Sequence, residues 1–443
     1  MTRDTFLPGK LKRAAGDLLR YSPLSRRAFS AIKGFGAAFA RDGSMRLVRW
    51  LDSYRFATGG GAWEGLTRNR LSQWHGTASA GIWRDSRIGW DRFKGWQQSG
   101  PLSRTVVLKA PAQAERGVLL VTFEYNWFKL LRDADVARRI ESEYDIIFST
   151  SSSPGDYAML GLALSTLAGP VYVMACNYGE IAKLEGFHPR VRCLPMLPCD
   201  WLDPSAYRPK PWEDRSIDIL MVAGWGPVKR HWHFFDALRS LPPGLSVVLV
   251  GQPDGAYDRN SILRLAREFR VPQKLVVHES LGIDQVRELQ CDSRISAVFS
   301  RREGCCVAVA ESLMADSPVA LVTGTHMGPA EYINGQTGCF LPLRGTGPAL
   351  AEFLRRAESC RAREWAVQHI ANTVSADRLG IFFAAERVER GEPWSGGLAV
   401  PKWSPHPMIP EGAAHDSLAG AFEGLHRSFP GLFPRDLIHT SRL

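Results

Sequence analysis

Short apolar runs rich in Val, Ile and Leu recur along the second half of the chain. Ile217–Val222, Leu245–Val250, Leu275–His278, Ile295–Phe299 and Val319–Val322 are such runs. None alternates apolar with polar residues, which is the pattern of strands covered on both faces. Between them, Ser261–Phe269, Ile283–Leu289 and the segment from Ser300 to Pro318 carry helical spacing. Strands separated by helices of this length imply a parallel sheet with right-handed crossovers. Ligands of such sheets collect at the carboxyl ends of the strands, so the loops after Val222, Val250, Val277 and Phe299 are expected to line one cleft.

The first half repeats the pattern less regularly. Val118–Phe123, Asp145–Thr150 and Val171–Cys176 read as strands with helical runs between them. The expected fold class is therefore α/β with two Rossmann-like domains. A chain of 443 residues is long enough for two cores plus extensions. The expected division is residues 1–60 as a basic helical extension, 61–212 as a shortened first domain, 213–390 as the second, and 391–443 as an irregular tail rich in Pro, Gly and Trp. The most apolar segment, Tyr157–Ala168, falls short of the eighteen residues that a membrane helix needs.

Charge changes the picture at one place. Residues 1–60 hold twelve Lys and Arg against four Asp and no Glu, a net +8 of the chain's +10. The body of the protein is thus close to neutral. In Ser25–Ala40, Phe29, Ile32, Phe35 and Phe39 fall near one helical face, with Arg26, Arg27 and Lys33 beside it. Such a helix suits an anionic membrane surface, a docked position on the protein body, or an Arg-rich targeting segment. Gly34 and Gly36 weaken its helix propensity. No nucleic-acid-binding pattern accompanies the charge. Eight cysteines form no Cys-x-x-Cys pair and no zinc spacing, so reduced thiols in a cytoplasmic protein are expected. Asp133-Ala-Asp135 lies in a charged helical run, away from a strand end, and is set aside as a metal motif.

The candidate chemistry gathers after Phe299, in SRREGCCVAVAESLMADSP. Glu303 lies in the loop at the strand's carboxyl end, and Glu311 about two helical turns further on. Gly304, Cys305 and Cys306 are expected in the opening turn of the helix, where unpaired N–H groups and the helix dipole favour a phosphate. A small residue at Cys305 lends its backbone there and needs no thiol chemistry. Carboxylates on either side can accept hydrogen bonds from sugar hydroxyls.

With Ser300, Glu303, Gly304, Glu311, Pro318 and Val319 in register, the segment resembles the Glu-x7-Glu element of retaining glycosyltransferases of the two-domain GT-B fold. Ser312 and Asp316 stand where that family has Ala and Gly. The downstream GPAEYINGQTGCFLP resembles another of its segments through Gly328, Glu331, Gly335, Thr337 and Gly338. So does the Gly-Trp-Gly-Pro turn after Val222. The resemblance implies donor binding by Gly224, Lys229, Arg230, Gly304, Cys305, Cys306 and Glu311, with Lys229 reaching the diphosphate and Glu303 acting in catalysis. Trp225 occupies the place of a second basic residue. By the same resemblance His278, Glu279, Ser280 and Leu281 fall where the nucleobase is held. Asn177, after the third strand of the first half, sits near an acceptor-side His of the family; a plain helix cap is the alternative.

The implied activity is transfer of a sugar from a nucleotide-diphosphate donor to a carbohydrate or lipid-linked acceptor with retention, in cell-surface polysaccharide or glycolipid synthesis. The resemblance implies no metal or other cofactor, and a cytoplasmic enzyme at the inner face of the membrane. A sugar-nucleotide epimerase and a catalytically silent binding module on the same fold are the alternatives.

Overall fold

The computed structural model describes residues 6–57, 61–75, 80–85, 88, 100–404 and 406–435. The chain folds into two compact units. The first contains residues 1–21 and 202–374, the second residues 22–201 and 375–443. The stretch 1–60, expected as one extension, is therefore divided. Its helix Phe6–Tyr21 goes with the first unit; Pro23–Ala38 and Gly43–Phe56 go with the second.

In the second unit, strands β1 (Thr105–Lys109), β2 (Gly117–Thr122), β3 (Tyr144–Ser149), β4 (Val171–Met174) and β5 (Val191–Cys193) form a sheet in simple sequential order. β1 runs antiparallel to β2 and the others are parallel. Every residue of β2, β3 and β4 is buried, which explains their largely apolar runs. Right-handed crossovers that always step the same way put their helices on one face. The rest of the core comes from elsewhere in the chain: Leu47 and Tyr54 before the sheet, Leu379 and Phe383 after it.

The tail is not irregular. After a two-stranded ribbon, β12 (Lys402–Trp403) with β13 (Pro407–Met408), it forms the helix Ala413–Ser428, which buries Leu418, Phe422 and Leu425. Ala399 N–H donates to the Leu108 carbonyl of β1 at 2.8 Å, so the tail lies along this sheet. A buried charge network fixes its approach. Asp145, at the start of β3, pairs with Arg387 at 2.6 Å, Arg390 at 3.3 Å and Arg116 at 3.4 Å.

The helix Pro23–Ala38 passes straight through both of its glycines. A Cβ on Gly34 would stand 2.6 Å from the Trp63 ring, so the close approach of Trp63 needs glycine there. Leu24, Ile32, Phe35 and Phe39 remain 73%, 68%, 63% and 82% exposed.

In the first unit, β6 (Ile217–Val222), β7 (Val247–Gly251), β8 (Leu275–Glu279), β9 (Ser293–Val298), β10 (Val319–Val322) and β11 (Gly338–Leu341) form an all-parallel sheet. The order is β11-β10-β9-β6-β7-β8. The chain therefore runs outward from β6 to β8, then crosses back to lay β9 on the other side of β6. That reversal opens a crevice at the carboxyl ends of β6 and β9. The two Rossmann-like sheets and the α/β class are as expected.

Candidate active site

The crevice exists and is built by backbone zippering. Beyond the ends of the strands, Ala223 N–H donates to Val250 O at 2.8 Å, Trp225 N–H to Gln252 O at 2.9 Å and Ser280 N–H to Gly251 O at 2.9 Å. These bonds hold the loops after β6, β7 and β8 together. A Cβ on Gly251 would lie 2.3 Å from the Ala223 carbonyl oxygen and 2.6 Å from the Trp225 ring, so the crossing requires glycine. On the other side of β6, Glu303 N–H donates to His326 O at 3.0 Å and fixes the loop after β9.

The resulting cavity holds about 280 Å³. Gly224, Lys229, Gln252, Leu281, Glu303, Cys305, Cys306, Val307 and Ala308 are among its lining residues. The Lys229 ammonium donates to Glu303 Oε2 at 2.7 Å across 74 residues of sequence. The second carboxylate oxygen, Oε1, is buried and has no hydrogen-bond partner. Burial by itself would lower the Lys229 pKa, but the Glu303 carboxylate outweighs it and holds the ammonium above the ordinary lysine value. The site thus presents a fixed cation paired with a carboxylate in the cavity wall.

Burial pushes the Cys306 thiol well up, with the Glu303 charge acting the same way, so it is a neutral wall group. The helix begins at Val307, so Gly304 and Cys305, expected in its opening turn, precede it and Cys306 is its cap residue. Val309 N–H already reaches Cys306 O at 3.0 Å, which makes Val307 and Ala308 the lining residues at the positive helix end.

Several expected site residues are elsewhere. Arg230 adopts the left-handed conformation, with φ 55° and ψ 40°, and turns its side chain away from the cavity. Its guanidinium donates to Asp17 Oδ2 at 2.6 Å and to Phe299 O at 3.1 Å. Burial lowers its pKa, and the Asp17 carboxylate opposes that shift. Glu311 is buried on the helix Val307–Met314 but does not line the cavity; its charge acts on Tyr207. His278 and Ser280 precede Leu281, which alone of that group lines the cavity. Glu279 accepts from Trp225 Nε1 at 2.6 Å and Arg259 N at 2.7 Å. Trp225 is therefore a buried strut, which accounts for an aromatic residue where a basic one is usual. In the second unit, Asn177 Oδ1 accepts from Gly179 N at 2.8 Å and does the work of a cap.

Sequence reasoning missed Gln252, Val307 and Ala308. Gln252 belongs to the loop after Val250 that was expected at the cleft, but nothing in its spacing marks it.

Residues 205–369 match the pattern of the family described as "Glycosyl transferases group 1". The chain carries a glycosyltransferase domain. That span includes all six strands of the first unit's sheet and every lining residue of the cavity. No curated protein matches the chain. Among solved structures, it is similar to sucrose-phosphate synthase from Thermosynechococcus elongatus, with 14% identity, a TM-score of 0.46, and coverage of 61% of this chain and 74% of that one. It is also similar to the Anabaena protein HepE, solved in complex with UDP and glucose, with 14% identity, a TM-score of 0.46, and coverage of 60% and 78%. A third similar structure is the lipopolysaccharide outer core galactosyltransferase WaaB, with 11% identity, a TM-score of 0.45, and coverage of 70% and 81%. Likenesses this distant carry nothing about substrate.

Proposed function

We propose that the protein transfers a sugar from a nucleotide-diphosphate donor to a carbohydrate or lipid-linked acceptor with retention of configuration. The observation that carries this reading is the Lys229–Glu303 pair at the switch point of the sheet, both residues lining the cavity. Lys229 would meet the departing diphosphate, assisted by the backbone at Val307 and Ala308. Glu303 would accept from a sugar hydroxyl and face the positive charge that develops on the sugar. Retention rests on the Glu-x7-Glu resemblance. The same reading takes the chain's own cation as sufficient, without a metal cofactor.

The deciding experiment incubates the protein with a panel of UDP-, GDP-, ADP- and dTDP-sugars and assays release of the nucleoside diphosphate. Release from one donor, accelerated by an acceptor, supports transfer. Binding without release would favour the silent module, and interconversion of the sugar without release would favour the epimerase.

Attachment to an anionic membrane, and with it a role in cell-surface glycan or glycolipid synthesis at the cytoplasmic face, belongs to the same proposal. It is supported by the exposed row Leu24, Ile32, Phe35 and Phe39, with Arg27 and Arg41 also exposed. Much of the basic charge turns inward: Lys10 pairs with Asp236 at 2.8 Å, Arg13 with Glu268 at 2.6 Å and Lys33 with Asp52 at 2.9 Å. Among the described residues no helix is long and apolar enough to cross a membrane. Deleting residues 1–60 would strip helices from both units, so the test is Ile32→Ser with Phe39→Ser. That variant should stop pelleting with anionic vesicles, and pelleting equal to wild type would remove the membrane reading.

A further inference from the structure

The glycosyltransferase unit contains another cavity, of about 690 Å³, that the transfer reading does not use. Its size is within the roughly 300–1,000 Å³ of small-molecule sites. Arg215 and Pro318, two of its lining residues, stand just before β6 and β10. It therefore lies at the amino ends of the strands. The Lys229–Glu303 cavity lies at the carboxyl ends of the same sheet, and the two share no lining residue.

Five cations line it, Lys210, Arg215, Arg355, Arg356 and Arg361, against two carboxylates, Asp316 and Glu358. Two of the cations are already engaged. The buried Arg215 guanidinium donates to Asp316 Oδ2 at 2.8 Å and to Asp316 O at 2.6 Å, and Lys210 pairs with Asp292 at 2.9 Å. Asp316 is engaged as well, since it also accepts from Arg363 N at 3.2 Å. That leaves Arg355, Arg356 and Arg361, all exposed, with Glu358 between them in sequence. Among the described residues none of these four forms an ion pair.

Helix electrostatics accounts for only part of this cluster. Arg355 and Arg356 end the helix Thr346–Arg356, where a cation suits the dipole. Arg361 caps the start of the helix Ala362–Ile370, where the dipole opposes a cation. The carbonyls of Cys360 and Glu358 hold its guanidinium there, at 2.9 and 3.3 Å. Three guanidiniums on one cavity repel one another, and an anion among them relieves that repulsion.

We infer that this cavity is an anion site that takes a phosphate or diphosphate group, separate from the donor crevice. A phosphate ester carries nearly two charges near neutral pH and three acceptor oxygens, which matches three guanidiniums. The planar fork of each guanidinium also fits phosphate oxygens in pairs. A carboxylate offers one charge and two oxygens and leaves the cluster under-compensated.

The test titrates pyrophosphate by calorimetry into the full chain carrying Lys229→Ala, so that the crevice contributes no cation. A Kd of about 1 mM or tighter is expected at low ionic strength. Arg355→Gln combined with Arg356→Gln should weaken binding at least about tenfold, and so should Arg361→Gln, each losing charge-assisted hydrogen bonds. Arg344→Gln is the control. Arg344 is exposed, follows β11 and does not line the cavity, so its loss should leave binding unchanged. If Lys229→Ala does not fold by circular dichroism, the wild type is titrated, and the arginine variants should lose one of two sites. Glycerol 3-phosphate and dioctanoyl phosphatidic acid separate the sources: equal affinity identifies a soluble phosphate ester, and tighter lipid binding a lipid headgroup. The inference is overturned if pyrophosphate does not bind up to about 10 mM. Binding that ignores the three arginines, falls equally in Arg344→Gln, or is matched by glucuronic acid overturns it too.

Discussion

Glu303 and Lys229 do not contribute separately. Each is buried enough to need the other, and the pair holds the cavity ready for a charged ligand. Glu303→Gln keeps the shape of the side chain but removes the charge that faces a cationic transition state. We expect kcat to fall by about a hundredfold to a thousandfold, the usual effect of losing one preorganised contact. A rate within about threefold of wild type would take Glu303 out of the mechanism. The same substitution has a second consequence. Because Lys229 is held above its ordinary value, its charge is fully present below about 10.5 and is lost only as pH rises through the folded value. Nucleoside diphosphate affinity in the wild type should therefore be flat from roughly pH 7.5 to 9, above the titration of the terminal phosphate near pH 6. In Glu303→Gln burial acts on Lys229 without the carboxylate to oppose it, so the loss of affinity should move to lower pH. Calorimetry across pH reads this directly, and identical profiles would mean that Lys229 does not touch the diphosphate.

At the scale of elements, the helix Phe6–Tyr21 is part of the glycosyltransferase unit and not a loose extension. Lys10, Arg13 and Asp17 pair with Asp236, Glu268 and Arg230. The Asp17 contact is the consequential one, because Arg230 directly follows Lys229 and is itself buried. Asp17→Ala would leave a buried guanidinium without its counter-charge, which should cost about 3 kcal/mol in the stability of this unit. Urea unfolding followed by Trp fluorescence measures that loss. Arg13→Ala, at a more exposed pair, should cost under about 1 kcal/mol. Equal effects from the two would show that the helix is held by its apolar contacts and not by Asp17.

Across the whole molecule, histidines kept neutral by burial set the acid limit. Burial pushes His231 and His233 of the first unit to about 3, and His75 and His406 of the second to about 4. Their unfolded forms bind a proton near the ordinary 6.5, so stability falls as pH drops from about 6.5 towards these folded values. Each contributes at most about 1.4 kcal/mol per pH unit within that window. Both units should lose melting temperature between about pH 7 and 4.5. A melting temperature that stays constant over that range would mean that these side chains are hydrated and titrate normally.

Eight of the eleven strands of the two sheets, the α/β class and the loop that carries Glu303 were legible in the sequence, while β1, β5 and β11 were not. Strands covered on both faces are mostly apolar, and that preference is written in consecutive residues. The Lys229 turn was legible for a similar reason, since its Gly-Trp-Gly-Pro signature is local. Tertiary structure decided which side chains meet. Arg230 finds Asp17 across 213 residues, and Trp225 finds Glu279 across 54, each removing an expected ligand group from the cavity. Residues Ser375–Leu443 join the second unit although residues 202–374 intervene in sequence. Hydrophobic periodicity encodes which face of an element is buried. It carries no term for which distant partner will satisfy a buried charge or hydrogen bond, and those partners shape the active-site cavity.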